Sequence, residues 1–145
     1  MQIILDKKES EKLFHGALCD GMHYIGGYGL EFDYEEADYK KAKKSLQKKI
    51  DEGKTPEDVS VFGTEKPEIC RENVWMEILR NGGKLKLIDV EGEGDNTREI
   101  TLADVHERVQ KTPLNHLQDA IDESGDADTG DVIIQTVFFE EIIFG

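Results

Sequence analysis

Cysteine is nearly missing from this 145-residue chain: only Cys19 and Cys70 occur, far apart. Nothing here forms the paired spacing that staples a small scaffold, and two reduced thiols are expected. Serine is sparse as well. Ser10, Ser45, Ser60 and Ser124 are the full set, and none sits in the strand-to-helix elbow that presents a hydrolase nucleophile. No apolar run approaches the roughly 20 residues that span a bilayer. The opening residues put Asp6, Lys7 and Lys8 behind a very short apolar stretch, so no signal peptide is expected and the protein reads as cytoplasmic. Basic residues run short in the second half. Residues 87–145 hold 15 Asp or Glu against 3 Lys or Arg, and so carry 12 of the 14 net negative charges. Such a surface repels nucleic acid and anionic membrane, whose phosphates need cations to neutralise them. It serves solubility, or it meets a basic partner surface, one that ordinarily holds nucleic acid.

What is present suffices for one domain over residues 1–145, with 37% hydrophobic and 34% charged residues. The most informative stretch is the close, where Asp126, Asp128 and Asp131 lead into Val132-Ile-Ile-Gln-Thr-Val-Phe-Phe139 and then Ile142-Ile-Phe144. A segment this apolar is expected to dock into the core, as a helix over about 127–139 followed by a short extended end. More of its apolar residues exist than one helix face buries, which predicts a homodimer contact through Phe138, Phe139 and Ile143.

Upstream, the patterns predict a short strand over residues 1–6 and a helix over 11–22 capped by Ser10. Glycines 26, 27 and 29 are expected to turn the chain into a strand over 30–34. A helix follows over 35–52, capped by Asp33, with Tyr39, Ala42, Leu46 and Ile50 as its inner stripe. Residues 54–67 read as a long loop, and 68–81 as a helix packing Ile69, Val74, Ile78 and Leu79. A hairpin over about 84–102 places Leu85, Leu87 and Asp89 on one side. Thr101 or Asp104 opens a helix to about 111, and Pro113 another to about 123. The expected fold class is α+β, with helices packed around a small antiparallel sheet.

Several residue groups invite chemical readings. His15, Cys19 and His23 recur at helical spacing, and both types are zinc ligands. Residues eight apart lie about 12 Å apart along a helix, so one ion cannot bridge all three; an adjacent pair joined by Cys70 or an acid is the remaining arrangement. Gly21 is expected to leave His23 past the helix end. Asp128-Thr-Gly130 matches the short signature of an aspartic protease, yet Asp126 and Asp131 would spoil the pKa splitting such a dyad needs. A helix cap with first-turn carboxylates is the simpler reading. Asp89, Glu91, Glu93 and Asp95 alternate as a calcium loop begins, but the twelfth position from Asp89 is Ile100, and from Asp126 it is Val137. Lys40, Lys41, Lys43, Lys44, Lys48 and Lys49 form the dense basic patch. Lys40 and Lys44, with Tyr24 and Tyr28 beside the Gly26-Gly-Tyr-Gly29 turn, make a candidate anion site; a solvated helix face is the alternative.

Three stretches together resemble a family of small acidic proteins of phages, prophages and bacterial mobile elements. They are Leu18-Cys-Asp-Gly-Met-His-Tyr24, the run from Trp75 to Asp89 continued by Ile100-Thr-Leu-Ala-Asp104, and Asp126-Ala-Asp-Thr-Gly-Asp-Val-Ile-Ile-Gln135 through Phe144-Gly145. That family often carries alanine where Gly130 stands. It has no assigned chemistry and transfers no site residue, so the resemblance implies context: a small accessory protein that binds, and so inhibits, a host component. The expected partner is a host or phage protein met through Asp89, Glu91, Glu93, Asp95, Asp122, Glu123, Asp126 and Asp128, with no cofactor, no catalytic group and no direct nucleic-acid or membrane contact. The alternatives are a nucleotide or small-molecule sponge, a virion or assembly component, and a metal-dependent hydrolase.

Overall fold

Asp6, not Ser10, opens the first helix. Its carboxylate accepts the Glu9 N–H at 2.7 Å, and α1 runs Lys7–Gly27. Two cap signals four residues apart compete here, and the one whose side chain faces the orphan N–H groups wins. Ser10 is buried inside the helix. The helix also continues through Gly21 and past His23, because the glycine serves packing there rather than chain reversal. The structure, a computed structural model, describes residues 3–59 and 67–145. Residues 3–6 form no strand, and the rest of that expected element lies outside the described residues.

At Gly29, φ of +79° reverses the chain into β1, Leu30–Asp33. Helix α2, Glu36–Asp51, begins at Glu35 rather than Asp33 and buries Ala42 and Leu46, with Tyr39 and Ile50 at the edge of its stripe. Of the loop over 54–67, the described part carries turns only, and residues 60–66 lie outside the described residues. Helix α3, Arg71–Arg80, is shorter than its pattern predicts and buried through seven consecutive positions, Asn73 to Leu79.

Strands β2, Leu85–Asp89, and β3, Arg98–Ile100, make the central hairpin. The sheet is antiparallel in the order β1-β2-β3, with Phe32 opposite Leu87 and Leu85 opposite Ile100. Alternation gives it one apolar face, Leu30, Leu85, Leu87 and Ile100 being buried. The other face is polar, its Lys86 opposite Glu99 and Lys84 paired with Glu99 at 3.0 Å. Thr101 caps α4, Leu102–Arg108, where Asp104 returns a bond to the Thr101 N–H at 2.9 Å. A 3-10 turn over Val109–Lys111 follows, then α5, Leu114–Ile121, starting after Pro113.

Helix α6, Ala127–Phe139, has the bounds its pattern predicts, with Asp126 accepting the Thr129 N–H at 3.2 Å. It packs chiefly along α1, while α2 packs on α3. The result is an α+β domain with helices around a three-stranded antiparallel sheet. At one point the two helix backbones nearly touch. A Cβ on Gly21 would lie 2.7 Å from the Asp131 N and the Gly130 C, and one on Gly130 would lie 2.8 Å from the Gly21 N. The approach lets Phe138 reach Phe14 at 6.3 Å and Phe32 at 5.9 Å between ring centroids. Phe138 is therefore 2% exposed and cannot serve the expected dimer contact. Phe139 is half-buried under Arg98, whose guanidinium sits 5.5 Å from its ring centre, and only Ile143 of that trio is open.

The residues after α6 turn back at Glu140, φ +63°, and are held by one buried side chain. Gln135 Oε1 accepts the N–H groups of Ile143 and Phe144, both at 2.9 Å, and its Nε2 donates to the Phe144 carbonyl at 3.1 Å and to Asp131 Oδ1 at 2.8 Å. Phe144 then stacks on Tyr28 at 4.9 Å. Gln135→Leu keeps the volume and removes all four bonds, leaving buried polar atoms unpaired. It should lower unfolding free energy by about 2–4 kcal/mol, given a cost of about 1–3 kcal/mol for each unsatisfied group that water cannot reach. Urea denaturation of the two proteins measures this.

Candidate interaction surface

The first turn of α6 emerges beside the last turn of α1, and this puts tyrosines among carboxylates. The Tyr28 hydroxyl donates to Asp131 Oδ2 at 2.7 Å; burial and that bond push its pKa up to about 12. Asp128 lies by the Tyr24 hydroxyl and raises its pKa too, through hydrogen bonding and then through its charge. The hairpin turn arrives from the other side. Glu91 presses against Gly29, so that a Cβ there would stand 2.6 Å from the carboxyl carbon, and the Val90 N–H donates to the Gly29 carbonyl at 2.9 Å. Residues 28 and 29 are thus flanked by acid from both clusters. The same segments carry exposed apolar side chains: Tyr24 at 37%, Val90 at 54%, Ile142 at 44% and Ile143 at 36% exposed.

The expected acidic residues divide. Glu91, Glu93, Asp95, Asp126 and Asp128 are exposed, with Asp126 and Asp128 beside Tyr24 and Glu91 against Gly29. Asp122 and Glu123 are exposed at the end of α5, where Glu123 reaches the second turn of α1 and meets Lys12 at 3.5 Å. Asp89, expected among the exposed acids, is not one of them. It is buried, accepting the N–H groups of Gly92 at 2.6 Å and Asn96 at 3.1 Å, and those bonds, Gly92's foremost, hold its carboxyl below the ordinary range. It builds the turn that carries Glu91 and does not itself face a partner.

The candidate anion site is not assembled. Lys40 and Lys44 are exposed on α2, which packs on α3, whereas both tyrosines face carboxylates. Nor is the lysine patch wholly solvated: Lys49 turns inward and meets the fully buried Glu77 at 2.8 Å.

Of the metal candidates, His15 and Cys19 do come together, with His15 Nε2 3.7 Å from the Cys19 sulfur and 4.0 Å from the Cys70 sulfur. His23 is exposed further along the helix, its ring edge-on to Tyr24. Asn73 already claims the imidazole, its Nδ2 being 3.0 Å from His15 Nε2, and it accepts the Cys70 thiol at 2.8 Å. Among the described residues no group of three or more His, Cys, Asp or Glu side chains is placed to hold a metal ion. The cysteines are free, as expected. Burial, then Glu72, pushes the Cys19 thiol up to about 12, and burial raises Cys70 as well. A thiol held protonated is a poor nucleophile.

Beneath this cluster lies a buried ion network that local sequence patterns do not reveal. Arg80 donates to Glu11 at 2.8 Å, to Asp58 and to Glu77 at 3.5 Å. Glu77 also accepts from Ser45 at 2.7 Å, and His106 stands 3.0 Å from Glu11. A cavity of about 440 Å³ opens over it, rimmed by Lys8, Lys12 and Lys54. The network's members come from segments far apart in the chain, so only the fold brings them together. Burying such pairs costs nearly what their attraction returns, so the network fixes geometry more than it stabilises.

His15 gives this cluster a pH signature. Burial, opposed in part by Asp58, lowers its pKa, so over the interval below the ordinary value of about 6.5 the unfolded chain binds more protons than the native one. Stability therefore rises with pH through that interval and is lost as pH falls. His15→Gln should flatten the slope. Urea midpoints at about pH 7.5 and about pH 5.5 should differ less in the variant than in the parent, since the linkage term scales with the proton difference.

Comparison with family models, with curated proteins and with solved structures finds no match to this chain.

Proposed function

We propose that this chain is a non-enzymatic accessory protein of a phage or mobile genetic element, acting in the host cytoplasm by binding a basic protein surface. The observation that carries this role is the placement of Asp126 and Asp128 beside the exposed Tyr24, and of Glu91 against Gly29 next to the exposed Val90. An aromatic and aliphatic centre inside a charged rim is the anatomy of a protein interface, in which the centre supplies affinity and the rim steers and selects. The charge of residues 87–145 selects a cationic partner, and its carboxylates stand where the phosphates of a nucleic acid would lie on that partner. Occupying such a surface inhibits whatever nucleic-acid-binding or defence factor owns it. The resemblance carried by the stretches around Tyr24, Trp75 and Asp126 supplies the mobile-element context. Among the described residues no helix is long and apolar enough to cross a membrane.

The test is capture from host lysate on the immobilised chain at about 0.05 M and about 0.5 M salt, where the screening length shrinks from about 14 Å to about 4 Å. The retained protein should be basic, should be lost at the higher salt, and should bind about tenfold more weakly to the double variant Glu91→Lys, Asp128→Lys, because reversed rim charges repel. Asp122→Lys, at the end of α5 and away from that face, should bind as the parent does. Retention indifferent to salt and to the double variant contradicts the role.

A further inference from the structure

On the far side of α1 from the acidic face, a cleft of about 340 Å³ opens between α1, β1 and α3. Its walls include Met22, Phe32, Tyr34, Arg71 and Trp75, with Glu31 at the edge. The aromatic rings are packed together at angles that leave a compound wall: Phe32 to Trp75 at 5.1 Å and 30°, Tyr34 to Trp75 at 6.2 Å and 47°. Tyr34 is stacked from behind by Tyr39 at 4.9 Å, which fixes its plane. This wall is built in advance by the core, because Trp75 is 3% exposed and belongs to the most buried helix.

Two further features point to an occupant. The Trp75 indole N–H is buried and has no hydrogen-bond partner among the described residues. Donors of that kind are few in native proteins, and each carries a free-energy cost that an acceptor from outside would cancel. Second, the guanidinium of Arg71 lies over the indole, 5.3 Å from the ring centre. Its other ties are slight: Glu72 at 3.2 Å, and the Met22 sulfur at 3.7 Å. Its side chain is 58% exposed. A guanidinium is flat and stacks on aromatic faces, so it occupies the place that a flat heterocycle would take. The cleft volume falls in the range of small-molecule sites.

We propose that this cleft binds a flat, uncharged heteroaromatic molecule of the nucleobase or nucleoside class, which displaces Arg71 from the face of Trp75 and offers an acceptor to the indole N–H. The wall gives stacking, which every base satisfies; the unmet donor requires a carbonyl, ring-nitrogen or sugar oxygen on the ligand; Glu31 at the edge accepts a ligand N–H or O–H. Glu31 at the edge and Glu72 beside Arg71 disfavour a phosphorylated form. This site is independent of the partner-binding face, since it uses none of the residues assigned there.

Trp75 is the only tryptophan, so its emission reports the cleft directly. Titrating the full chain with adenosine, guanosine, cytidine, uridine and the free bases should give saturable quenching by at least one of them. The matching 5′-monophosphate should bind at least about threefold more weakly, because Glu31 and Glu72 repel its charge. Arg71→Ala, an exposed change that leaves the core intact, should tighten binding several-fold by vacating the ring face. Tyr34→Leu should weaken it about tenfold, in keeping with the loss of one stacking surface, and a thermal melt of that variant shows whether it is folded. Absence of saturable quenching by every base and nucleoside overturns the site. Tighter binding of the monophosphate overturns the ligand class, and an affinity unchanged by Arg71→Ala overturns the displacement.

Discussion

Two glycines 109 residues apart in sequence set the distance on which the rest of the fold depends. Where Gly21 of α1 crosses Gly130 of α6, a single Cβ on either would fall within 2.7 to 2.8 Å of the other helix's backbone. Helices whose side chains intervene pack about 8–10 Å apart; glycines at the crossing remove that spacer. With the axes this close, the apolar stripe of α6 from Ile133 to Phe138 is buried against α1 and the sheet. Phe138 can then bridge Phe14 and Phe32, which ties the helical layer to β1.

The same crossing positions the surface chemistry. It holds the capped first turn of α6 against the last turn of α1, within the 2.7 Å at which Tyr28 bonds Asp131. Asp131 passes the constraint to Gln135, and Gln135 to the backbone of Ile143 and Phe144, so the exposed isoleucines are set down beside the tyrosines. Asp89 does the equivalent work for the hairpin, where its buried carboxylate shapes the turn that brings Glu91 to Gly29. In each case a buried carboxylate with hydrogen-bond partners fixes the segment that carries exposed side chains. Acidity in the second half of the chain therefore has two functions, and only part of it is surface charge.

What the sequence made legible follows from local physics. The bounds of α6 could be read because Asp126 caps it and a continuous apolar run follows; Leu85, Leu87 and Asp89 alternate as strand residues do, and Thr101 with Asp104 is a local capping pair. The misreadings share a cause, in that each depended on a distant partner. Gly21 looks like a break in a helix until Gly130 is known to lie against it. Tyr24 and Tyr28 look available to an anion until Asp128 and Asp131 are placed beside them. The acidic cluster was visible as composition, yet its division into structural and exposed members needed the fold.

The crossing is tested most directly by comparing three glycine-to-alanine changes in the same assay, chemical denaturation at neutral pH. Gly16 lies in α1 with nothing within 4 Å of its would-be Cβ, so Gly16→Ala should stabilise by about 0.5–1 kcal/mol through helix propensity alone. Gly21→Ala and Gly130→Ala gain the same propensity but drive a methyl into backbone that cannot move aside, and each should destabilise by about 1–3 kcal/mol. If all three variants are stabilised alike, the helices do not meet at these glycines and the account of the fold is wrong.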